Sequence, residues 1–143
     1  KFYLDWSFAA MGSKHSGAGR TVVLASFLLG GPSGSGVATT VTIGSVADRT
    51  TYPENGAYGA AKFGLRALHE SLRLETRGTG VRATLVSPGP VDTAIWAPYE
   101  QALGTTLTAR SAMLRPDDVA RAVLFAVSQP AHVDVEELRL NPS

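Results

Sequence analysis

The chain has 143 residues, 44% of them hydrophobic and 17% charged, with 13 basic residues against 12 acidic ones and a formal charge of +1. That describes one globular domain with enough chain to bury a core, too apolar for a disordered segment and too evenly charged to need a nucleic-acid partner. With no cysteine there is no disulfide framework and no thiolate metal site; a reducing, cytoplasmic location and no bound metal are expected.

In chain order, residues 1–20 show no period, and Gly12 to Gly19 reads as a loop. The start, Lys1 to Trp6, mixes charge and aromatics and lacks the apolar core of a secretory signal. Thr21 to Ala25 is a fair buried strand, and Phe27-Leu28-Leu29 either extends it or belongs to a neighbouring helix. The apolar run Val22 to Leu29, broken by Ser26, is far shorter than the roughly 18 to 20 residues that cross a bilayer, so no membrane partner is expected. Gly30, Gly34 and Gly36 have the spacing with which a strand-to-helix turn cradles a pyrophosphate. The next stretch, Val37 to Ile43, is β-branched and predicts a strand instead of the helix that such a cradle requires, so the cluster is better read as a linker.

Thr39 to Gly44 is the kind of strand that lies buried in a parallel sheet. Ala47 to Gly56 is a polar loop, and a helix is predicted from about Ala57 to Arg77. Ala61, Leu65, Leu68 and Leu72 form one apolar stripe of that helix; Phe63, Ala67 and Leu74 form part of another. Two stripes predict one face on the sheet and one against a second subunit. Gly78-Thr79-Gly80 ends the helix, and Val81 to Val86 is the next strand, completing a right-handed crossover unit. Ser87-Pro88-Gly89-Pro90 should lie just past its carboxyl end, the edge where open α/β sheets bind ligands. Residues 94–114 have no sustained period and predict a substrate lid, with Trp96 and Tyr99 as pocket walls or Trp96 as a packing residue instead. Pro116-Asp117-Asp118 opens a last helix whose buried face is Val119, Ala120, Val123, Leu124 and Val127. His132 to Leu140 is a closing edge strand.

The chemistry gathers at Ser45 and at Tyr58-Gly59-Ala60-Ala61-Lys62. Positions i and i+4 share a helix face, so Tyr58 and Lys62 enter one volume, and Ser45 reaches it from the strand end. A phenol is a poor base at neutral pH, and a neighbouring ammonium stabilises its phenolate. A serine hydroxyl beside it can hold an oxygen on which charge develops. This trio suits proton transfer at a carbinol or carbonyl oxygen. It cannot supply two electrons, so a redox reaction there needs a cofactor. Ser45 could instead be only a strand-end cap. His15, His69 and His132 have no partners at metal spacing and read as structural or solvated. Asp92 either shapes the loop beyond Pro90 or stabilises a turn.

Ser45, the Tyr58-x-x-x-Lys62 pair thirteen residues later, and Ser87-Pro88-Gly89-Pro90-Val91-Asp92-Thr93 together resemble the short-chain dehydrogenase/reductase family, classical type. The likeness runs from about Val41 to Ser143. It implies a Rossmann-type, doubly wound parallel sheet and an NAD(P)-dependent oxidoreductase that interconverts a secondary alcohol and a carbonyl on a small substrate. It further implies Ser45, Tyr58 and Lys62 as catalytic residues, with Ser45 also touching the substrate and Tyr58 and Lys62 also touching the cofactor. The backbone of Pro88, Gly89 and Val91 and the hydroxyl of Thr93 would contact the nicotinamide half. The cofactor is expected to be NADP, with NAD as the alternative, and the protein a homodimer or homotetramer. The abrupt end after Leu140 resembles reductases of small hydroxy acids and related alcohols more than extended epimerases. The family's glycine turn, ribose selector and upstream asparagine are not recognisable; the two asparagines are Asn55 and Asn141. Residues 1–36 are therefore an unassigned or incomplete segment, and 37–143 the C-terminal half of the catalytic domain. Either the chain is truncated or the molecule has residues outside this sequence, and the undamaged downstream half favours the latter. The alternative function is a non-catalytic fragment or assembly subunit with the same fold.

Overall fold

The structure is a computed structural model that describes residues 27–30, 38–53, 55–103 and 109–143. The expected loop of residues 1–20 and strand Thr21 to Ala25 lie outside these residues, as do Gly34 and Gly36. Four strands form one sheet in the order β1 (Phe27–Gly30), β2 (Ala38–Ile43), β3 (Arg82–Pro88) and β4 (Glu137–Leu140). Strands β2, β3 and β4 are parallel, with Val41 opposite Thr84 and Val86 opposite Leu138. The helices are α1 (Gly56–Glu75), α2 (Ala97–Leu103) and α3 (Pro116–Val127). This is part of the expected Rossmann-type α/β architecture.

The departure is β1. It runs antiparallel to β2, pairing Phe27 with Val41 and Gly30 with Ala38. A parallel pair needs a crossover of about a dozen residues or more, whereas residues 31–37 are enough to turn the chain back on itself. The glycine cluster beyond Gly30 lies outside the described residues, between these two strands.

Strand β3 is the centre of the core: Val86 has no exposed surface, and Ala83, Thr84 and Leu85 are almost as deep. Threonine serves twice in this interior. Its branched Cβ suits a pleated strand, and its hydroxyl supplies the partner that a buried polar neighbour requires. Thr39 Oγ1 accepts from the Arg82 guanidinium at 3.0 and 3.2 Å. Thr42 Oγ1 lies 3.0 Å from His69 Nδ1. Strand β3 also extends two residues further than the sequence predicts, so Ser87 and Pro88 belong to it. The closing strand is shorter than expected, beginning at Glu137.

Helix α1 matches its predicted range but not its predicted inner face. Its buried residues are Gly59, Lys62 and His69, whereas Leu68 and Phe63 are exposed. Spacing alone favours the leucine stripe; the observed face wins because Lys62 and His69 each find a polar partner at the β2 end. His69 thus lies between the helix and the sheet, a structural histidine as expected. Gly78, at φ +80°, supplies the left-handed turn just beyond the helix. Helix α3 has Pro116 in its first turn and the Asp118 carboxylate accepting from the Arg115 N–H at 2.7 Å. Ala126 is its buried residue, and Leu124 and Phe125 face outward. Residues 94–114 are more regular than predicted, with a 3-10 turn at Ala94–Trp96, then α2, and a second 3-10 turn at Arg110–Ala112. Among the described residues no helix is long and apolar enough to cross a membrane.

Candidate active site

Strand β2 ends at Ile43, and the chain passes through Gly44 and Ser45 into a 3-10 turn, Val46–Asp48. Space around Gly44 is tight. A Cβ on it would lie 3.0 Å from Leu85 Cδ1, 3.1 Å from Ser87 Oγ and 3.2 Å from Asp48 Oδ2. The close approach brings its carbonyl under α1, where Lys62 Nζ donates to it at 3.1 Å. Ser45 caps the 3-10 turn, its Oγ accepting from the Ala47 N–H at 3.1 Å. The same oxygen accepts from Tyr58 Oη at 3.2 Å. Capping and site geometry are therefore two uses of one hydroxyl.

Tyr58 enters from the first turn of α1, with Lys62 one turn on and its Nζ 5.7 Å from the phenol ring centroid, within cation–π reach. The two differ in setting: Tyr58 is 43% exposed and Lys62 only 5%. Burial pushes the Lys62 ammonium below the usual lysine range, and the negative charge of Asp48 acts against that shift. A serine hydroxyl has one proton to donate and two lone pairs. With Ala47 and Tyr58 on the lone pairs, the Ser45 proton remains for an oxygen in front of Tyr58.

The Pro-Gly segment comes directly after β3. The Gly89 N–H is bonded to Leu140 O at 2.8 Å, and a Cβ on Gly89 would lie 2.9 Å from Asn141 Oδ1, so this glycine is packed against the chain's last residues. Val91 bridges to Leu114, with the Leu114 N–H on Pro90 O and the Asp92 N–H on Leu114 O. Trp96 turns its indole N–H back onto Val91 O at 2.8 Å. Thr93 precedes the 3-10 turn without its hydroxyl capping it. Tyr99 falls in α2. Arg110 binds Asp92 Oδ1 at 2.7 Å, Thr93 O at 2.8 Å and both carboxylate oxygens of Glu100, and these partners hold its guanidinium above even the usual arginine range. Asp92 thus ties this loop to the segment above it.

A charged cluster that the sequence does not advertise lies beneath the trio. Asp48 has no exposed surface; its Oδ1 accepts from Arg49 Nε at 2.8 Å and its Oδ2 from Ser87 Oγ at 2.7 Å. Arg66 lies 3.9 Å from the same carboxylate and 3.5 Å from Glu137, which also pairs with Arg49. An Asp-Arg pair in a polar loop is ordinarily a solvated pair, so nothing in the local pattern announces its burial. Two clefts of 240 and 220 Å³ lie along the Arg73–Glu136 and His69–Glu137 sides; neither is lined by Ser45, Tyr58 or Lys62. Among the described residues no group of three His, Asp or Glu could hold a metal ion.

The Val91 N–H, the Thr93 hydroxyl and the Lys62 ammonium are donors of the kind a nicotinamide nucleotide accepts. Among the described residues no hydrogen bond occupies the Val91 N–H or the Thr93 hydroxyl, and Lys62 spends one of its three N–H bonds on Gly44.

Comparison with known proteins points the same way. Residues 23–133 match the short-chain dehydrogenase family described as enoyl-(acyl carrier protein) reductase. Sulfoacetaldehyde reductase 2 of Chromohalobacter salexigens is 35% identical over 109 residues, which cover 74% of this chain and 43% of that protein. The structure of serine dehydrogenase from Escherichia coli is similar at a TM-score of 0.56 and 31% identity, covering 71% of this chain and 38% of that one. An alcohol dehydrogenase from Thermococcus sibiricus, solved with 5-hydroxy-NADP, aligns at a TM-score of 0.57 and 29% identity over 73% of this chain and 41% of that one. The chain thus spans less than half the length of these relatives. On the strength of the matched residues and of the fold, the chain belongs to the short-chain dehydrogenase/reductase family.

Proposed function

We propose that the protein is an NADP-dependent oxidoreductase, with NAD as the alternative cofactor, that interconverts a secondary alcohol and a carbonyl on a small substrate. The observation that carries this reading is the 3.2 Å contact between Tyr58 Oη and Ser45 Oγ beside the buried Lys62 ammonium. Residues 37–143 would then be the C-terminal half of the catalytic domain.

When bound, the nicotinamide supplies or accepts the hydride that no side chain here can carry. Ser45 holds the substrate oxygen with its remaining proton, and Tyr58 Oη gives that oxygen a proton in reduction or takes one in oxidation. Lys62 presents a positive charge to the phenol face, fixed by Gly44 O, and keeps two N–H bonds for a ribose hydroxyl. The Val91 N–H and Thr93 hydroxyl would hold the carboxamide end of the nicotinamide. Trp96 and Tyr99 are proposed to border the substrate side of the pocket. The sulfoacetaldehyde and serine in the relatives' names support short, charged substrates. Phe63 and Leu68 on α1, with Leu124 and Phe125 on α3, are exposed apolar side chains that support assembly of a homodimer or homotetramer. The cysteine-free composition accords with the cytoplasm.

Calorimetric titration with NADPH, and then turnover on a panel of short hydroxy acids and aldehydes, tests the reading. Saturable binding is expected. Tyr58→Phe should keep most of that binding, since the ring stays and Lys62, Val91 and Thr93 are the other proposed cofactor contacts, and lose turnover by about 10²- to 10⁴-fold. No binding at millimolar cofactor would return the non-catalytic alternative, and full turnover in Tyr58→Phe would remove Tyr58 from its role.

A further inference from the structure

We propose that Asp48 is a positioning residue for this site: its buried carboxylate holds the ends of β2 and β3 together beneath Ser45 and is the counter-charge of the Lys62 ammonium. The inference rests on the proposed function for what the site does, but its geometry is independent of it.

A carboxylate with no exposed surface is retained only with strong partners. Those of Asp48 come from the elements that build the site. Ser87, on β3 just before the Pro-Gly segment, donates to its Oδ2 at 2.7 Å. The same oxygen lies against Gly44, 3.2 Å from where a Cβ would stand. Gly44 is itself bonded to β3 through Val86 O at 2.7 Å, and its carbonyl receives Lys62. The Asp48 N–H closes the turn on Ser45 O at 3.0 Å. The side chain therefore ties the turn after β2 to the end of β3 and lies against Gly44, the acceptor of Lys62, while the backbone of the same residue closes the turn under Ser45.

The second half of the inference is charge. Lys62 is deeply buried, which disfavours its ammonium, and the opposing influence on it is Asp48. The other charged and titratable groups around this pair are Tyr58, Arg66 and Glu70 on α1, Arg49 after the 3-10 turn and Glu137 on β4; β3 contributes the neutral Ser87. Arg49 and Arg66 are shared with Glu137, and Arg66 also with Glu70, so neither cation is devoted to Asp48. Gly44 stands between the two groups, with Asp48 Oδ2 against its Cα side and its carbonyl on Lys62 Nζ, so the carboxylate is placed to act on the ammonium.

The test tracks the Lys62 ammonium directly, by NMR titration of ¹³C-lysine-labelled protein, together with kcat/KM against pH. Asp48→Asn keeps the shape and an acceptor for Ser87 but loses the charge. It should move the Lys62 titration, and with it the alkaline limb of activity, to lower pH by about one unit. Ser87→Ala should lower activity at every pH without moving either midpoint, because it removes a hydrogen bond and leaves the carboxylate charged. Should Asp48→Asn fail to fold, Arg49→Gln, which takes a cation off the carboxylate, is expected to move the Lys62 midpoint to higher pH. A Lys62 midpoint that stays in place in the folded variants overturns the counter-charge role, whatever the activity. A Lys62 midpoint that moves while the limb does not, with Tyr58→Phe inactive, overturns the link to catalysis. Full turnover in Tyr58→Phe instead counts against the proposed function and leaves the titration to decide the charge pairing.

Discussion

At the amino end of β3 the Arg82 guanidinium reaches Thr39 Oγ1 and the carbonyls of Gln129, Pro130 and Val133 at 2.7 to 3.2 Å. At the carboxyl end of β2, Lys62 makes one hydrogen bond, to Gly44, beside a tyrosine that is 43% exposed. Both ends place a cation among backbone carbonyls. Arg82 is saturated and knits a strand start to the connection after α3, whereas Lys62 keeps donors in reserve and bears the cost of burial. On the proposed function the contrast separates a cation used for stability from one kept for catalysis, and each can be disturbed separately.

The largest effect is expected at the site end. Lys62→Met removes a buried charge while keeping an unbranched chain, so turnover should fall by at least about 10²-fold; relief of the buried ammonium and loss of the charge facing Asp48 oppose each other, so stability should change less than in Arg82→Gln. A parallel loss of stability, measured by urea unfolding, would make Lys62 as structural as Arg82. Arg82→Gln is the mirror experiment. It should cost about 2 to 3 kcal/mol in urea unfolding, because several carbonyls lose a charged donor, and leave turnover of the folded protein unchanged. Gly44→Ala probes the link between the ends of β2 and β3. Its Cβ meets Leu85, Ser87 and Asp48 within 3.2 Å, so a stability loss of about 1 to 3 kcal/mol is expected, with turnover falling as Ser45 is displaced.

The smallest effect is a pH slope. Burial, chiefly, with Arg73 and Arg66 nearby, lowers the His69 imidazole from its usual 6.5, against the weaker pull of Glu70 and Glu137. Below pH 6.5 the unfolded chain takes up a proton there that the folded state resists, so stability falls as pH drops toward the folded-state value. The slope cannot exceed about 1.4 kcal/mol per pH unit for one group, and urea midpoints should show it flattened in His69→Gln.

The parts legible in the sequence are those governed by local rules. The β-branched run at Val41, the proline-opened helix at Pro116 and the Tyr58–Lys62 pair one turn apart need only propensity and helix geometry. Tertiary partners decide the rest. The inner face of α1 departs from its leucine stripe because His69 and Lys62 become good interior residues only once Thr42 and Gly44 lie beneath them. Asp48 is silent in the sequence because its chief hydrogen-bond partner beyond its neighbour is Ser87, 39 residues away, and no spacing rule reaches that far. The antiparallel β1 is hidden by composition, since Phe27-Leu28-Leu29 suits a strand of either direction and the length of the next connection decides between them.

Trp96 is one of two tryptophans, the other being Trp6, and its indole is clipped to the carbonyl of Val91. Indole emission depends on local polarity and on what the ring nitrogen touches. Any occupant that repositions the Pro90–Thr93 backbone must also alter the surroundings of this chromophore. The protein therefore carries a built-in optical reporter on the Pro90–Thr93 loop, with no label to attach, and Trp6→Phe would leave Trp96 as its sole source of indole light.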